Sequence, residues 1–265
     1  MSYPLSRKSS RTLRYPLSRR LTALTALLAA VLALALTACT APLDEPATDA
    51  ARPVTTEEAQ LLAIARFNNF DAGSRPFTTN IQERGVDLRI QGWVDYASQL
   101  GYAATTGAFP AQAMLWTSSA VGIIAQEPDA AGDPALPIPS FTDPAASLDN
   151  LDPASSRLDA LLAIISGLGS DRPDNPLLVQ QAGALWLRAD EINGSPVTVF
   201  ASPPSDSPRD ASSPPLNADT SALRLWVDAT GVLRRAEARI GDDWTTIDFS
   251  DEQGQALALP DETQP

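Results

Sequence analysis

LRLWVDATGVLRRAEARIGDDWTTIDF, residues 223–249, holds three runs in which apolar and polar residues alternate, separated by two turn signals. A period of two is the mark of a strand with one face buried, and Ala229-Thr230-Gly231 and Gly241-Asp242-Asp243 are the residue types that reverse a chain. The stretch therefore predicts two successive antiparallel hairpins, over 223–228, 232–240 and 244–249. Asp228-Ala229-Thr230-Gly231 departs from an aspartic-protease loop by its alanine, and as a turn it requires no catalysis.

Working outward, residues 184–191 and 196–201 flank Asn193-Gly194, a strong two-residue hairpin signal. Asn193-Gly194-Ser195 also spells a glycosylation sequon, but the tight turn accounts for it better. Between these hairpins, residues 202–220 carry five prolines and read as a loop. Upstream, Leu158, Leu161, Leu162, Ile165 and Leu168 form an apolar helical stripe, with Asp152-Pro153 read as its capped start. Asn175-Pro176 repeats the start signal for a short helix over 177–182. Strands are expected at 75–83, 86–96, 101–107, 113–117 and 120–125, preceded by an amphipathic helix that Thr55 and Glu58 open with a capping box. Residues 127–149, rich in Pro, Asp and Ala, read as an excursion or lid.

Each of the five tryptophans falls out of phase with the aliphatic stripe of its segment. Trp93 alternates with Gln91 and Asp95, Trp186 with Arg188, Trp226 with Arg224, Trp244 with Thr246, and Trp116 with Met114. One sheet face should be aliphatic and the other should mix Trp with Arg and Asp. Such tryptophans either pack under arginines on a half-wet face or form a patch that docks a glycan or protein partner.

At the N-terminus, six basic residues precede an apolar run over 21–38 that ends at Cys39, the single cysteine of the chain. Leu36-Thr37-Ala38-Cys39 matches the bacterial lipobox, so residues 1–38 read as a lipoprotein signal peptide and Cys39 as a diacylglyceryl anchor. The competing reading is a transmembrane helix, against which count the run's many alanines and threonines. Residues 39–54 then form a flexible tether, 55–249 a single domain with insertions at 127–149 and 202–220, and 250–265 an acidic disordered tail. The protein is expected on the extracytoplasmic face of the cell membrane, held there by acylated Cys39.

The chain carries 19 basic and 32 acidic residues and no histidine, and its only lysine lies in the signal segment. That charge disfavours nucleic acid and anionic lipid alike. Without histidine, or lysine beyond the signal, Ser-His-Asp and Ser-Lys catalysis and His-based metal sites are excluded. There is no nucleotide-binding glycine turn and no nucleophile elbow. Asp242, Asp243 and Asp248 are close in sequence, but exposed turns solvate such residues. No enzyme activity, metal or cofactor is expected.

The order of these features, a lipobox, a leading helix, a strand meander, a central apolar helix and the hairpin Leu225-Trp226-Val227-Asp228-Ala229-Thr230-Gly231-Val232-Leu233-Arg234-Arg235, resembles the LppX/LprG-type actinobacterial lipoproteins, which share the LolA-like carrier fold. The likeness runs over residues 55–249 and is one of architecture; the proline-rich insertions depart from it. It implies an α+β fold in which a strongly curved antiparallel sheet, a half-barrel, has helices over its concave face. In the family, the space between sheet and helices holds acyl chains. A lipid or glycolipid ligand would then be walled by Leu88, Ile90, Leu161, Leu162, Ile165, Leu225 and Val227. The alternative is a non-enzymatic surface interaction module with a closed core, and fold likeness does not choose between the two.

Overall fold

The computed structural model describes residues 51–259, apart from 108–109, 204–207, 209, 211, 213–216 and 220. The signal segment and the anchor residues Leu36, Thr37, Ala38 and Cys39 lie outside the described residues.

Twelve strands form one antiparallel sheet: β1 (Arg52–Pro53), β2 (Ser74–Glu83), β3 (Val86–Asp95), β4 (Leu100–Thr106), β5 (Gln112–Trp116), β6 (Ala120–Ala125), β7 (Ser147–Asn150), β8 (Leu185–Ile192), β9 (Ser195–Ala201), β10 (Leu223–Asp228), β11 (Leu233–Ile240) and β12 (Asp243–Phe249). Their order across the sheet is β1-β8-β9-β10-β11-β12-β2-β3-β4-β5-β6-β7. Two meanders, β2 to β7 and β8 to β12, meet where β12 pairs with β2, Ile247 opposite Thr79 and Phe249 opposite Phe77. The sheet is curved and not closed, and its two edges are its two shortest strands, which limits the unpaired backbone they offer to another chain.

Connectivity explains the helices. The chain leaves β1 at one edge and must reach β2 in the middle, so α1 (Thr56–Asp71) crosses the concave face. It leaves β7 at the other edge and must reach β8, so α2 (Arg157–Gly167) and α3 (Pro176–Gln181) cross back. The fold is thus α+β with the helices on the concave side, the architecture expected from the sequence. Among the described residues no helix is long and apolar enough to cross a membrane.

The core fills the space between sheet and helices. Leu161, Leu162 and Ile165 of α2 are fully buried against Phe77, Ile90, Trp116 and Ile247. Trp116 meets Phe77 edge to face at 6.2 Å, and its Nε1 donates to Ser166 Oγ at 3.1 Å. Its ring lies flat over Gly101, where any Cβ would overlap the indole, so that close approach requires glycine.

Several boundaries differ from the sequence reading. The cap of α2 is Ser156, whose Oγ accepts the N–H of Asp159 at 3.0 Å, one turn after the expected start. Asp152 instead accepts from Ala154 N in a preceding turn. Glu83 Oε2 accepts Leu158 N at 3.1 Å, a partner from β2 that only the tertiary structure supplies. Arg52 and Pro53, within the expected tether, pair with Trp186 and Leu185 of β8. Residues 147–149, the end of the expected excursion, form the edge strand β7 together with Asn150. Within the tail expected to be unstructured, of which residues 250–259 are described, Leu257 is buried with the outer-face cluster of Leu100 and Tyr102, and its N–H reaches Asp95 Oδ2 at 3.2 Å.

The tryptophans divide. Arg224 stacks on Trp244 at 4.1 Å and Arg188 on Trp226 at 5.5 Å, both on the outer face as the alternation predicts. Trp116 belongs to the inner core. Trp186 also packs inward, under Arg52 at 4.5 Å, because a bulge between Trp186 and Arg188 lets the two residues face opposite sides. Two outer clusters complete the sheet: Leu185, Leu187, Val197, Val199 and Trp226 at one end, and Leu100, Tyr102, Ala113 and Leu115 at the other. Ile138 and Phe141 of the proline-rich excursion cover the second cluster, with Tyr102 Oη donating to Ala135 O at 2.6 Å.

Candidate ligand cleft

α1 opens with the predicted capping box: Thr55 Oγ1 accepts Glu58 N at 3.2 Å and Glu58 Oε2 accepts Thr55 N at 2.8 Å. Glu58 also holds Arg52 through two short contacts, 2.8 and 2.7 Å, which fix where the chain joins the sheet. That guanidinium, with the capping hydrogen bonds, keeps the Glu58 carboxyl below its ordinary pKa despite the opposing effect of burial.

α3 is a single short helix. Asn175 caps it by accepting Leu177 N at 3.0 Å, and Pro176 takes the first turn, as the sequence predicts. Six residues are too few to present a full apolar stripe, and none of them is fully buried. Val179 packs on the core while Leu177 and Leu178 stay exposed. Because α3 does not seal the face, a cleft of about 500 Å³ remains between α1, α3 and strands β10 and β11. Leu62 and Ala65 of α1, Leu178, Val179 and Ala182 of α3 or its cap, and Leu223, Leu225 and Leu233 of the sheet form its aliphatic walls.

Polar groups gather at the rim. Arg66 Nε donates to Gly167 O at 3.0 Å and its Nη1 lies 3.3 Å from Asp174 Oδ1. Asp174 N in turn donates to Ala63 O at 2.9 Å, and Ser170 N to Arg66 O at 3.1 Å. Arg66 thus pins the α2–α3 linker to α1 while keeping a half-exposed guanidinium at the mouth. Deeper, Arg75 is buried: Nη1 donates to Asn69 Oδ1 at 2.6 Å and Leu233 O at 3.0 Å, and the group stacks on Phe249 at 4.9 Å. Asn69 Nδ2 completes the network on Leu168 O at 2.7 Å. Burial draws the Arg75 pKa below its ordinary value, and its hydrogen bonds are those of a structural tie between α1, α2 and the sheet.

Asp228 organises the β10–β11 turn. Its Oδ1 accepts Thr230 N at 2.8 Å and Val232 N at 3.0 Å, and its Oδ2 accepts Arg234 Nη2 at 2.7 Å. Burial would raise its pKa, but the hydrogen bonds from Thr230, Val232 and Arg234 outweigh that and lower it. These contacts of the Asp228 carboxylate serve the turn, in keeping with its reading as a hairpin.

The sequence-predicted wall residues do not converge on one cavity. Ile90, Leu161, Leu162, Ile165 and Val227 are fully buried in the filled core, where they touch side chains and not open space. Leu88 is half-buried and borders an open depression between the ends of β2 and β3 with Asp87 and Arg89. Leu225 alone of the seven lines the cleft. Sequence reasoning passed over Leu62, Leu178, Leu223 and Leu233; the available signal was Leu177-Leu178-Val179 on a helix too short to bury three consecutive apolar residues. Among the described residues no cluster of His, Cys, Asp and Glu has the arrangement of a metal site.

No protein-family profile matches the chain, and no curated protein sequence matches it. Among solved structures it is similar to the crystal structure of LprF from Mycobacterium bovis, with 14% identity over 80% of this chain and 100% of that one and a TM-score of 0.38.

Proposed function

We propose that this chain is a membrane-anchored extracytoplasmic lipoprotein that binds or carries a lipid or other hydrophobic ligand without catalysing a reaction, and that the ligand occupies the cleft between α1, α3 and β10. The observation that carries this reading is the cleft itself. Its volume falls in the range of about 300–1,000 Å³ typical of small-molecule sites, and aliphatic walls with a few charged groups at the mouth suit an amphiphile. The apolar chain would lie along Leu62, Leu223 and Leu225, and Arg66 stands where a carboxylate or phosphate head would emerge. Anchoring rests on the sequence: an apolar run ending in Leu36-Thr37-Ala38-Cys39, with Cys39 as the acylated residue.

Native mass spectrometry of the purified full chain, followed by organic extraction, tests the ligand. A reproducible lipid adduct that leaves on extraction is expected; an adduct-free mass from several hosts would overturn the carrier reading. That result would favour a non-enzymatic surface module, for which the outer face offers a polar groove of about 800 Å³ bordered by Trp93, Asp133 and Asp248. Mass analysis of Cys39 tests the anchor separately, with attached acyl groups expected and an unmodified thiol contradicting it.

A further inference from the structure

We infer that the α3 lip of the cleft, Leu177 and Leu178, is a docking surface for a lipid bilayer, so that ligand passes between membrane and cleft without crossing water. This rests on the hydrophobic-ligand reading above. Leu177 is 57% exposed and Leu178 40%. A single exposed leucine on a surface is ordinary. These two are adjacent, and Leu178 is at once an outer surface residue and a wall of the cleft, so the apolar lining runs out to solvent there without interruption.

An acyl chain crossing water loses about fourfold in partition for each exposed methylene, so a mouth pressed against the bilayer removes a barrier that grows steeply with chain length. The position of the N-terminal strand makes the bilayer the partner. Val54 N donates to Ala184 O at 3.3 Å, and Gln180 Nε2 of α3 donates to Val54 O at 3.0 Å. The chain therefore joins the fold on the helix that carries the lip. Fully extended, the stretch from Cys39 to Arg52 reaches at most about 45 Å. An acylated Cys39 keeps α3 within that distance of the membrane.

Charge fits a neutral surface. Two ion pairs flank the lip, Arg52 with Glu58 at 2.7 Å and Arg66 with Asp174 at 3.3 Å, Asp171 and Arg172 of opposite sign precede α3, and the chain as a whole is acidic. Docking through Leu177 and Leu178 therefore calls for zwitterionic lipid and should depend little on salt.

Depth-dependent quenching tests the inference. Leu177→Trp and, as a control at the distant β2–β3 hairpin, Val86→Trp are introduced singly into the full chain, bound to phosphatidylcholine vesicles with or without acyl-chain bromination. The fluorescence added at position 177 should fall by at least about half on brominated vesicles, while that added at position 86, also an exposed apolar site at 44%, should not change. Equal quenching at both positions, or none at 177, overturns the docking surface. The carrier reading fails on a different readout, the absence of a lipid adduct. Lipid-loaded protein without quenching at 177 therefore rejects the docking surface alone.

Discussion

Two helices cross the same concave face and close it differently. α2 is 11 residues long and sends Leu161, Leu162 and Ile165 fully into the core; a smaller space of about 310 Å³ lies beside it, bordered by Ala163, Ser166, Val94 and Tyr96. α3 is 6 residues long, buries none fully, and leaves the cleft beside it. An apolar helix stripe opposite an apolar sheet face therefore specifies a core; whether a cavity survives is decided by helix length and by small side chains such as Ala65 and Ala182. The part of the face with the clearest hydrophobic pattern is the more completely filled one, and the larger cleft lies under the weaker pattern.

Truncation should separate the two halves most sharply. Leu162→Ala should cost roughly 2–5 kcal/mol in urea unfolding, because it opens a cavity in a close-packed region. Leu177→Ala should stay within about 0.5 kcal/mol. Equal costs would mean that α3 seals the face as α2 does. Next in size, Asn69→Ala takes a partner from the buried Arg75 guanidinium and from Leu168 O, and should cost about 1–3 kcal/mol by the same measurement.

Acid should loosen the halves in order. Glu58, Asp190 and Asp228 all have lowered pKa values, Glu58 mainly through Arg52, Asp190 mainly through the Trp226 indole N–H at 2.9 Å, and Asp228 through hydrogen bonds that overcome burial. A carboxylate whose folded pKa is depressed binds its proton more readily when unfolded. Its stabilisation is therefore present above the unfolded values, 3.8 for Asp and 4.5 for Glu, and is lost as pH falls through the lower folded ones. All three sit on the part built from β1, β8 to β11 and α1. Hydrogen exchange should accelerate in β8, β10 and α3 below about pH 4 before it does in α2 and β3; simultaneous loss would show that the sheet responds as one unit. Arg66→Ala should have only a small effect on global stability, at most about 1 kcal/mol for a half-exposed pair, yet it should speed exchange across residues 168–175, which Arg66 holds to α1.

The alternation along Val86 to Asp95 and Leu223 to Ile240 made the strands and their hairpins legible, and Asn193-Gly194 fixed its turn outright, with both residues at positive φ. Strands β1 and β7 were not legible because two and four residues carry no period. The shift of the α2 cap from Asp152 to Ser156 depends on Glu83, which lies far away in sequence. Trp186 was placed on the wrong face because one bulge reverses every later side chain of its strand, and a bulge leaves no mark in the alternation before it. Leu257 lies in a segment that reads as an acidic tail because the apolar run Ala256 to Leu259 is too short to carry a strand or helix period. For the site, period identified the aliphatic face, and Leu225 with it, but packing density is a property of the assembled helices. Five of the seven proposed wall residues accordingly turned out to be core.

Photolabelling the full chain with a diazirine-bearing long-chain fatty acid, and mapping the modified peptides, tests directly which half takes a ligand. The account predicts label on Leu62, Leu178, Leu223 and Leu225, abolished by excess unlabelled fatty acid and sharply reduced when Leu223→Trp fills the cleft. Label concentrated instead on Leu161, Leu162 and Ile165 beneath α2, or label that unlabelled fatty acid does not displace, would contradict it.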